Sequence, residues 1–265
     1  MARRKTIILI IAAAVVLAAA FAYFGLSGRQ KAAILMYHHV VEDGQPVNSA
    51  TVTESRLEED FSWLSANGYN IILPRDLLSG KPLPQNTVII SFDDGYTSNY
   101  EIAYPLLKKY GLKAEINVIT SLIDDETRTN FCSWDQLREM EDSGIVEIGS
   151  HTHNLHNPDN GGLMYTDRGN GIQHINGSED PEAYESRVLQ DIRLSREKLE
   201  KNLGKAPVTF AYPFGCVDKD AYQVIKDNFG VSLVTDDRNI KQDGKFHNLH
   251  RIAVNMDKKL EDILK

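Results

Sequence analysis

Val88-Ile89-Ile90-Ser91-Phe92-Asp93-Asp94-Gly95 is the stretch on which the reading of this 265-residue chain turns. Its β-branched, apolar start predicts a buried strand, and two adjacent carboxylates and a glycine end it. Carboxylates at the end of a buried strand are costly unless they are used at its mouth. The competing reading is an ordinary Asp-Gly turn. Two later clusters weigh against the plain turn: His151-Thr152-His153-Asn154-Leu155-His156 and Phe210-Ala211-Tyr212-Pro213-Phe214-Gly215. Together the three describe a hydrolytic metal site.

Outward from that strand, short apolar runs alternate with segments of helical period from Ala33 onward, the pattern of parallel strands with crossover helices. Strands are predicted over 33–37, 70–73, 87–92, 114–119, 145–149, 207–212, 231–235 and 249–254. Leu57, Phe61 and Leu64 share one face of an amphipathic helix. Ser98 and Glu101 have capping-box spacing ahead of Ile102, Leu106 and Tyr110. A long helix is predicted from about Pro181 to Leu203. Residues 157–180 hold five glycines and little apolar content, so they read as a long loop. Seven or eight strands in about 235 residues predict an α/β fold, a (β/α) barrel either closed or incomplete. His38 follows the first strand, Asp93 and Asp94 end the third, His151 follows the fifth and Pro213 the sixth. All lie at C-terminal strand ends, where barrel enzymes place their active sites.

The N-terminus bears on location. Arg3, Arg4 and Lys5, in a basic stub of residues 1–5, precede an uncharged apolar run over residues 6–26. At ~1.5 Å per residue, such a run spans a hydrocarbon core of ~30 Å. The basic stub is expected in the cytoplasm and the rest outside, held at the cell membrane by a single transmembrane helix. The alternative is a cleaved signal peptide, given small residues around Ala20-Phe21-Ala22, which would release a secreted protein. Residues 27–32 read as a linker and 33–265 as one domain. The whole chain has 29 basic and 37 acidic residues; setting aside Arg3, Arg4, Lys5 and Arg29 leaves 25 against 37, a net charge of −12. Nucleic acid is excluded as a partner, because phosphate binding needs a positive footprint. Two cysteines, Cys132 and Cys216, do not make a disulfide scaffold; their spacing leaves pairing and buried thiols equally open.

His151, His156 and Asp94 make up two imidazoles and a carboxylate, a three-ligand set that leaves a coordination position for water. The alternative is a surface loop of hydrogen-bonded histidines. Three histidines within six residues after a buried strand, of eight in the chain, favour the metal. His153, two residues from His151, is expected to point elsewhere.

Ser91-Phe92-Asp93-Asp94-Gly95, the His-Thr…His cluster and Tyr-Pro-Phe-Gly together resemble the polysaccharide deacetylases with a NodB-homology domain, carbohydrate esterase family four, over roughly residues 33–255. The resemblance implies that Asp93 is the catalytic base and that Asp94, His151 and His156 hold one divalent ion. Zinc is the leading candidate, with cobalt, nickel and iron as alternatives. The family's histidines are usually four residues apart; here the spacing is five, which resembles the branch acting on poly-β-1,6-N-acetylglucosamine. Ile34-Leu35-Met36-Tyr37-His38-His39-Val40 resembles the first strand of that branch, whose barrel is circularly permuted and draws its general acid from this strand. His38 is therefore the candidate acid. The family's third motif commonly begins with an Arg that pairs with the base. Here the segment is Gly204-Lys205-Ala206-Pro207, without Arg, and Arg251 is the candidate substitute, a surface ion pair being its alternative. The backbone N–H of Phe214 is implied as an oxyanion donor. Trp134, Tyr212 and Pro213 are candidate substrate contacts, with packing as the alternative for Trp134.

The implied reaction is metal-dependent hydrolysis of N-acetyl groups on an extracellular N-acetylglucosamine polysaccharide, with peptidoglycan as the second candidate substrate. A glycosidase fits less well, since its carboxyls must flank the bond ~5–9.5 Å apart and those of neighbouring strand residues diverge. A non-catalytic glycan-binding domain is the remaining rival, favoured by the missing Arg.

Overall fold

The computed structural model describes residues 32–123, 125, 127–156, 180–215, 217, 219–235 and 245–264. The apolar run 6–26, most of the 157–180 loop and Cys216 lie outside the described residues. Among the described residues, no helix is long and apolar enough to cross a membrane.

Ten strands and seven α-helices are described: β1 (Ala32–Tyr37), β2 (His39–Val41), β3 (Thr51–Thr53), α1 (Glu54–Ala66), β4 (Asn70–Ile71), α2 (Pro74–Leu77), β5 (Thr87–Asp94), α3 (Tyr104–Tyr110), β6 (Ala114–Val118), α4 (Trp134–Asp142), β7 (Val146–Ser150), α5 (Pro181–Leu203), β8 (Thr209–Ala211), α6 (Lys219–Asn228), β9 (Val231–Thr235), β10 (Leu249–Ala253) and α7 (Leu260–Ile263). The main sheet runs β1-β10-β9-β8-β7-β6-β5, and β1 also pairs with β5, so seven parallel strands close on themselves. Closure brings the first strand beside the stretch that opened the reading, with Met36 opposite Ser91 and Tyr37 opposite Phe92. The predicted strand 70–73 is not an eighth stave. Its two paired residues flank only the start of β5, on the side that β6 takes further along.

Strand alternation sorts the side chains into two cores. Even-numbered residues of β5, β6 and β7, with Leu35 and Tyr37, face the helices and form one cluster with Leu57, Phe61 and Leu64 of α1, Leu106 and Leu107 of α3, and Leu137 and Met140 of α4. The three fully buried apolar residues of α1 lie on the predicted face, and burial of each is worth about 1.5–3 kcal/mol. Phe210, Tyr212 and Val234 face α5 and α6 in a second outer cluster. Inside the barrel, Ala32, Ile34, Ile89, Ala211, Val231, Leu233 and Leu249 form an apolar plug. The rest of the interior is polar: Ser91, Asp93, Glu115, Asn117, Glu147, Thr209 and Arg251 are all buried.

The capping box expected at Ser98 does not form. Ser98 is itself helical, and its Oγ accepts from the N–H of Val40 at 3.1 Å, while Asn99–Ala103 forms a π-helical turn leading into α3. A reciprocal box instead starts α4, where Ser133 Oγ accepts from Gln136 N and Gln136 Oε1 accepts from Ser133 N. α5 spans the predicted residues, capped by Asp180 and ended by Gly204 in the left-handed region. Ser133→Ala is expected to lower stability by about 1 kcal/mol through loss of that cap, read in chemical denaturation.

Candidate active site

Three side chains converge at the C-terminal mouth of the barrel. Asp94 Oδ1 lies 3.7 Å from His151 Nε2 and 3.7 Å from His156 Nε2. One ligand atom from each residue falls within 4.8 Å of the others. The His151 Nδ1–H donates to the carbonyl of Ala211 at 2.7 Å, which leaves the Nε2 lone pair aimed at Asp94. Asp94 Oδ1 is buried and has no hydrogen-bond partner among the described residues. An orphaned carboxylate oxygen between two imidazole lone pairs is a donor set that suits a divalent cation. Burial, with Asp93 nearby, pushes the Asp94 carboxyl up to about 6 against the opposing charge of His38. Burial likewise pushes His151 down to about 3 and lowers His156, so both rings are neutral at neutral pH, the form that can ligate a cation.

Asp93 lies on the inward face of β5. Arg251 Nη1 of β10 donates to its Oδ1 at 2.6 Å, and Asn117 Nδ2 of β6 donates to the same oxygen at 3.1 Å. Burial would raise this carboxyl, but the guanidinium holds it well below the usual carboxylate range. His151 also favours the ionised form, yet that ring is itself held neutral, so Arg251 is the partner that counts. Arg251 is thus the partner of Asp93, as expected, and its alternative, a surface ion pair, is excluded, because its side chain is 1% exposed inside the barrel.

The loop bearing the histidines is held from two sides, by α5 and by the end of β6. Asp191 of α5 accepts from the N–H groups of His153 and Asn154, both at 2.8 Å. His151 N donates to Val118 O, and Thr120 N and Ser121 N donate to the carbonyls of Thr152 and His153. Ser150 Oγ meets Ser195 Oγ of α5 at 2.7 Å. Asp94, Thr152 and Phe214 all have positive φ, at 75°, 80° and 57°. Such backbone costs of order 1–3 kcal/mol per residue and concentrates at functional sites. Gly95 extends the left-handed turn at φ 84°, where a Cβ would press on Val118 at 2.9 Å.

The remaining expectations divide. His153 turns away, its Nδ1 meeting Thr120 Oγ1 at 2.9 Å. His38 lies between β1 and β2, close enough to influence both carboxylates, and its carbonyl accepts from Asn99 Nδ2. Phe214 is exposed, and its ring lies 4.4 Å from that of His156. Tyr212 and Pro213 are both buried, and the Tyr212 ring packs edge-on to Phe210 in the outer cluster, behind the sheet. Strand alternation is the reason, since the inward position falls to Ala211. Trp134 is half-buried against the outer cluster at the start of α4. Cys132 is a free, buried thiol.

Tyr96, Asn117 and Asp191 were missed by sequence reasoning. Burial, with the Asp94 carboxylate nearby, pushes the Tyr96 hydroxyl up to about 12, and its ring stacks on Phe131 at 5.1 Å and tilts against His39 at 4.7 Å. Its place directly after Asp-Asp-Gly was the one available signal.

A parallel α/β barrel with an Asp-His-His cluster and a buried Asp–Arg pair at its C-terminal mouth has the layout of a barrel hydrolase. Residues 80–231 match the polysaccharide deacetylase family. The chain belongs to that family. It is 31% identical over 195 residues to the poly-β-1,6-N-acetyl-D-glucosamine N-deacetylase of Staphylococcus aureus, a match covering 71% of this chain and 62% of that protein's length. A solved de-N-acetylase from Aggregatibacter actinomycetemcomitans superposes with a TM-score of 0.73 at 26% identity, over 88% of this chain and 99% of that one. IcaB from Ammonifex degensii shares the fold, with a TM-score of 0.73 at 22% identity over 88% of this chain and 96% of its own.

Two outcomes are expected. Asp191→Ala should leave the barrel folded but weaken divalent-ion binding by roughly 10–100-fold, measured by calorimetry, because the histidine loop loses its clamp. Because Asp94 keeps its proton up to about pH 6, ion binding at pH 5.5 should release more protons than at pH 7.5, read as a dependence on buffer ionisation enthalpy.

Proposed function

We propose that this protein is a divalent-metal-dependent polysaccharide N-deacetylase. Its substrate is a β-1,6-linked N-acetylglucosamine polymer, and it acts outside the cytoplasmic membrane, tethered there through residues 6–26. The observation that carries the reaction is the orphaned Asp94 Oδ1, 3.7 Å from each of two histidine Nε2 atoms and next to the ionised Asp93. The substrate class is supported by the Staphylococcus aureus relative and by the five-residue histidine spacing.

Asp94, His151 and His156 would hold the ion. When bound, it acidifies a coordinated water and offsets negative charge developing on the acetyl oxygen. Asp93 supplies the base. With Oδ1 taken by Arg251 and Asn117, Oδ2 is the oxygen left to accept the proton of the attacking water. Its low proton affinity makes it a weak base, adequate only where the water is already acidified. The N–H of Phe214 is the proposed oxyanion donor. As the new C–O bond forms and the C–N bond breaks, His38 returns a proton to the departing nitrogen. The products are acetate and a glycan amine.

Acetate release from N-acetylglucosamine oligomers should cease on chelation and return with added zinc, cobalt, nickel or iron. Persistence of full activity in metal-free protein would sink the mechanism. Asp93→Asn should lower kcat by at least ~100-fold and still bind the ion, whereas His151→Ala should lose both. Side-by-side assays on β-1,6-linked polymer and on peptidoglycan should favour the former; the reverse preference would overturn the substrate assignment.

A further inference from the structure

Below Asp93 the barrel interior carries a second row of polar side chains that the proposed reaction leaves without a task. Asn117 and Glu115 are two residues apart on β6 and point inward together, both fully buried. In register, Asn117 stands beside Asp93 on one flank and Gly149 on the other, and Glu115 stands between Ser91 and Glu147. Asn117 Nδ2 donates to Asp93 Oδ1 at 3.1 Å and to Glu115 Oε2 at 3.4 Å, so one amide nitrogen spans the two carboxyl groups. Gly149 makes the room: a Cβ built there would run into Asn117 Oδ1 and come within 3.1 Å of Glu115 Oε1. At the bottom, Glu147 meets the Arg75 Nε of α2 at 3.1 Å, so its charge is paired away from this amide.

We propose that Asn117 is a positioning residue for the Asp93 carboxylate, with Glu115 as its anchor and Gly149 as the space that admits it. Arg251 and Asn117 approach Asp93 from different strands, yet both bonds fall on Oδ1. Two donors on one oxygen fix the rotation of the carboxylate about its Cβ–Cγ bond. Oδ2 is then turned toward the mouth, 3.8 Å from His151 Nε2. A single Arg contact would leave that rotation soft, and misplacement of a base by about 1 Å costs as much as ~100-fold in rate. Glu115 performs its part as a neutral group, since burial pushes its carboxyl up to about 8 and the neighbouring Glu147 adds to the rise. A neutral acceptor holds the amide without repelling Asp93.

The inference rests on the proposed deacetylase reading, and its test separates the two. Asn117→Leu keeps the branched shape and removes the donor. In the metal-loaded protein it should lower kcat for acetate release by roughly 10–100-fold while KM and bound metal stay within about two-fold. Glu115→Gln, which keeps a neutral acceptor, should stay within about three-fold of wild type in kcat, whereas Glu115→Leu should behave like Asn117→Leu. Should Asn117→Leu fail to fold, Gly149→Ala displaces the same amide without removing a polar group and should give the same kcat loss. An Asn117→Leu protein with unchanged kcat, or a loss confined to KM or metal content, overturns the positioning role. A second readout needs no activity. In metal-free protein, the side-chain amide resonances of Asn117 should exchange slowly with solvent and shift on both Asp93→Asn and Glu115→Gln. Resonances indifferent to both substitutions overturn the proposal even if the protein deacetylates nothing. A wild type that releases no acetate defeats the deacetylase reading alone.

Discussion

Arg251 and Asp93 stand 158 residues apart in sequence and meet inside the closed barrel at 2.6 Å. Ion pairs buried this deeply gain little net stability, because desolvation of the two charges offsets most of their attraction. Removing one partner is another matter, since it strands the other charge in a low-dielectric interior at a cost of about 3–5 kcal/mol. The pair therefore acts as a constraint. β10 must lie where its third residue reaches across to β5, which is possible only with β1 between them in the closed ring. The same contact keeps Asp93 ionised. Barrel closure and the ionisation state of the site are thus one requirement.

The polar interior follows from that constraint. A buried carboxylate gains from a second donor, and β6 supplies Asn117, which bonds the same Oδ1 that Arg251 holds. Asn117 in turn needs an acceptor and an empty flank, supplied by Glu115 and Gly149. Opposite these, β1, β9 and β10 fill the lower interior with Ile34, Val231, Leu233 and Leu249. One half of the barrel is packed by apolar contacts and the other by hydrogen bonds, so strain at the mouth is carried by a scaffold that does not yield easily.

Much of this was legible in the sequence where the information is local. Apolar runs placed the seven staves to within two or three residues, because the outward face of each is packed under helices and stays apolar even where the inward face is polar. Residues 70–73 read as a full strand because Ile71 packs against the outer cluster and Ile72 against the plug, yet only two residues there find a ladder. Ser98-x-x-Glu101 had the spacing of a cap, but the Ser98 hydroxyl was claimed by Val40, 58 residues away. The Tyr212 side chain lies behind the sheet through parity, since the residue next to it is the one that faces inward. Arg251 was within reach because an inward Arg on a late strand has few reasons to be there. Asn117 and Asp191 were not, because nothing in either residue's neighbourhood shows that it faces Asp93 or a histidine loop.

The adjacent carboxylates that end β5 show how the backbone divides one motif into two tasks. Strict alternation would send Asp93 inward and Asp94 outward, into the apolar layer that holds Phe92. Asp94 escapes that layer because its φ of 75° breaks the strand at that residue, and Gly95 at φ 84° continues the turn. A side chain that would have been buried among leucines is swung over the mouth, between His151 and His156. A bulkier residue after it could not follow, since a Cβ at position 95 meets Val118. Asp93 keeps ordinary strand geometry and so keeps its Arg251 contact. The two carboxylates differ in proton affinity, one held far below the usual range and the other raised to about 6, because one lies before the break and the other at it. Glycine at the third position is what permits a candidate base and a candidate metal ligand to be neighbours in sequence without sharing an environment.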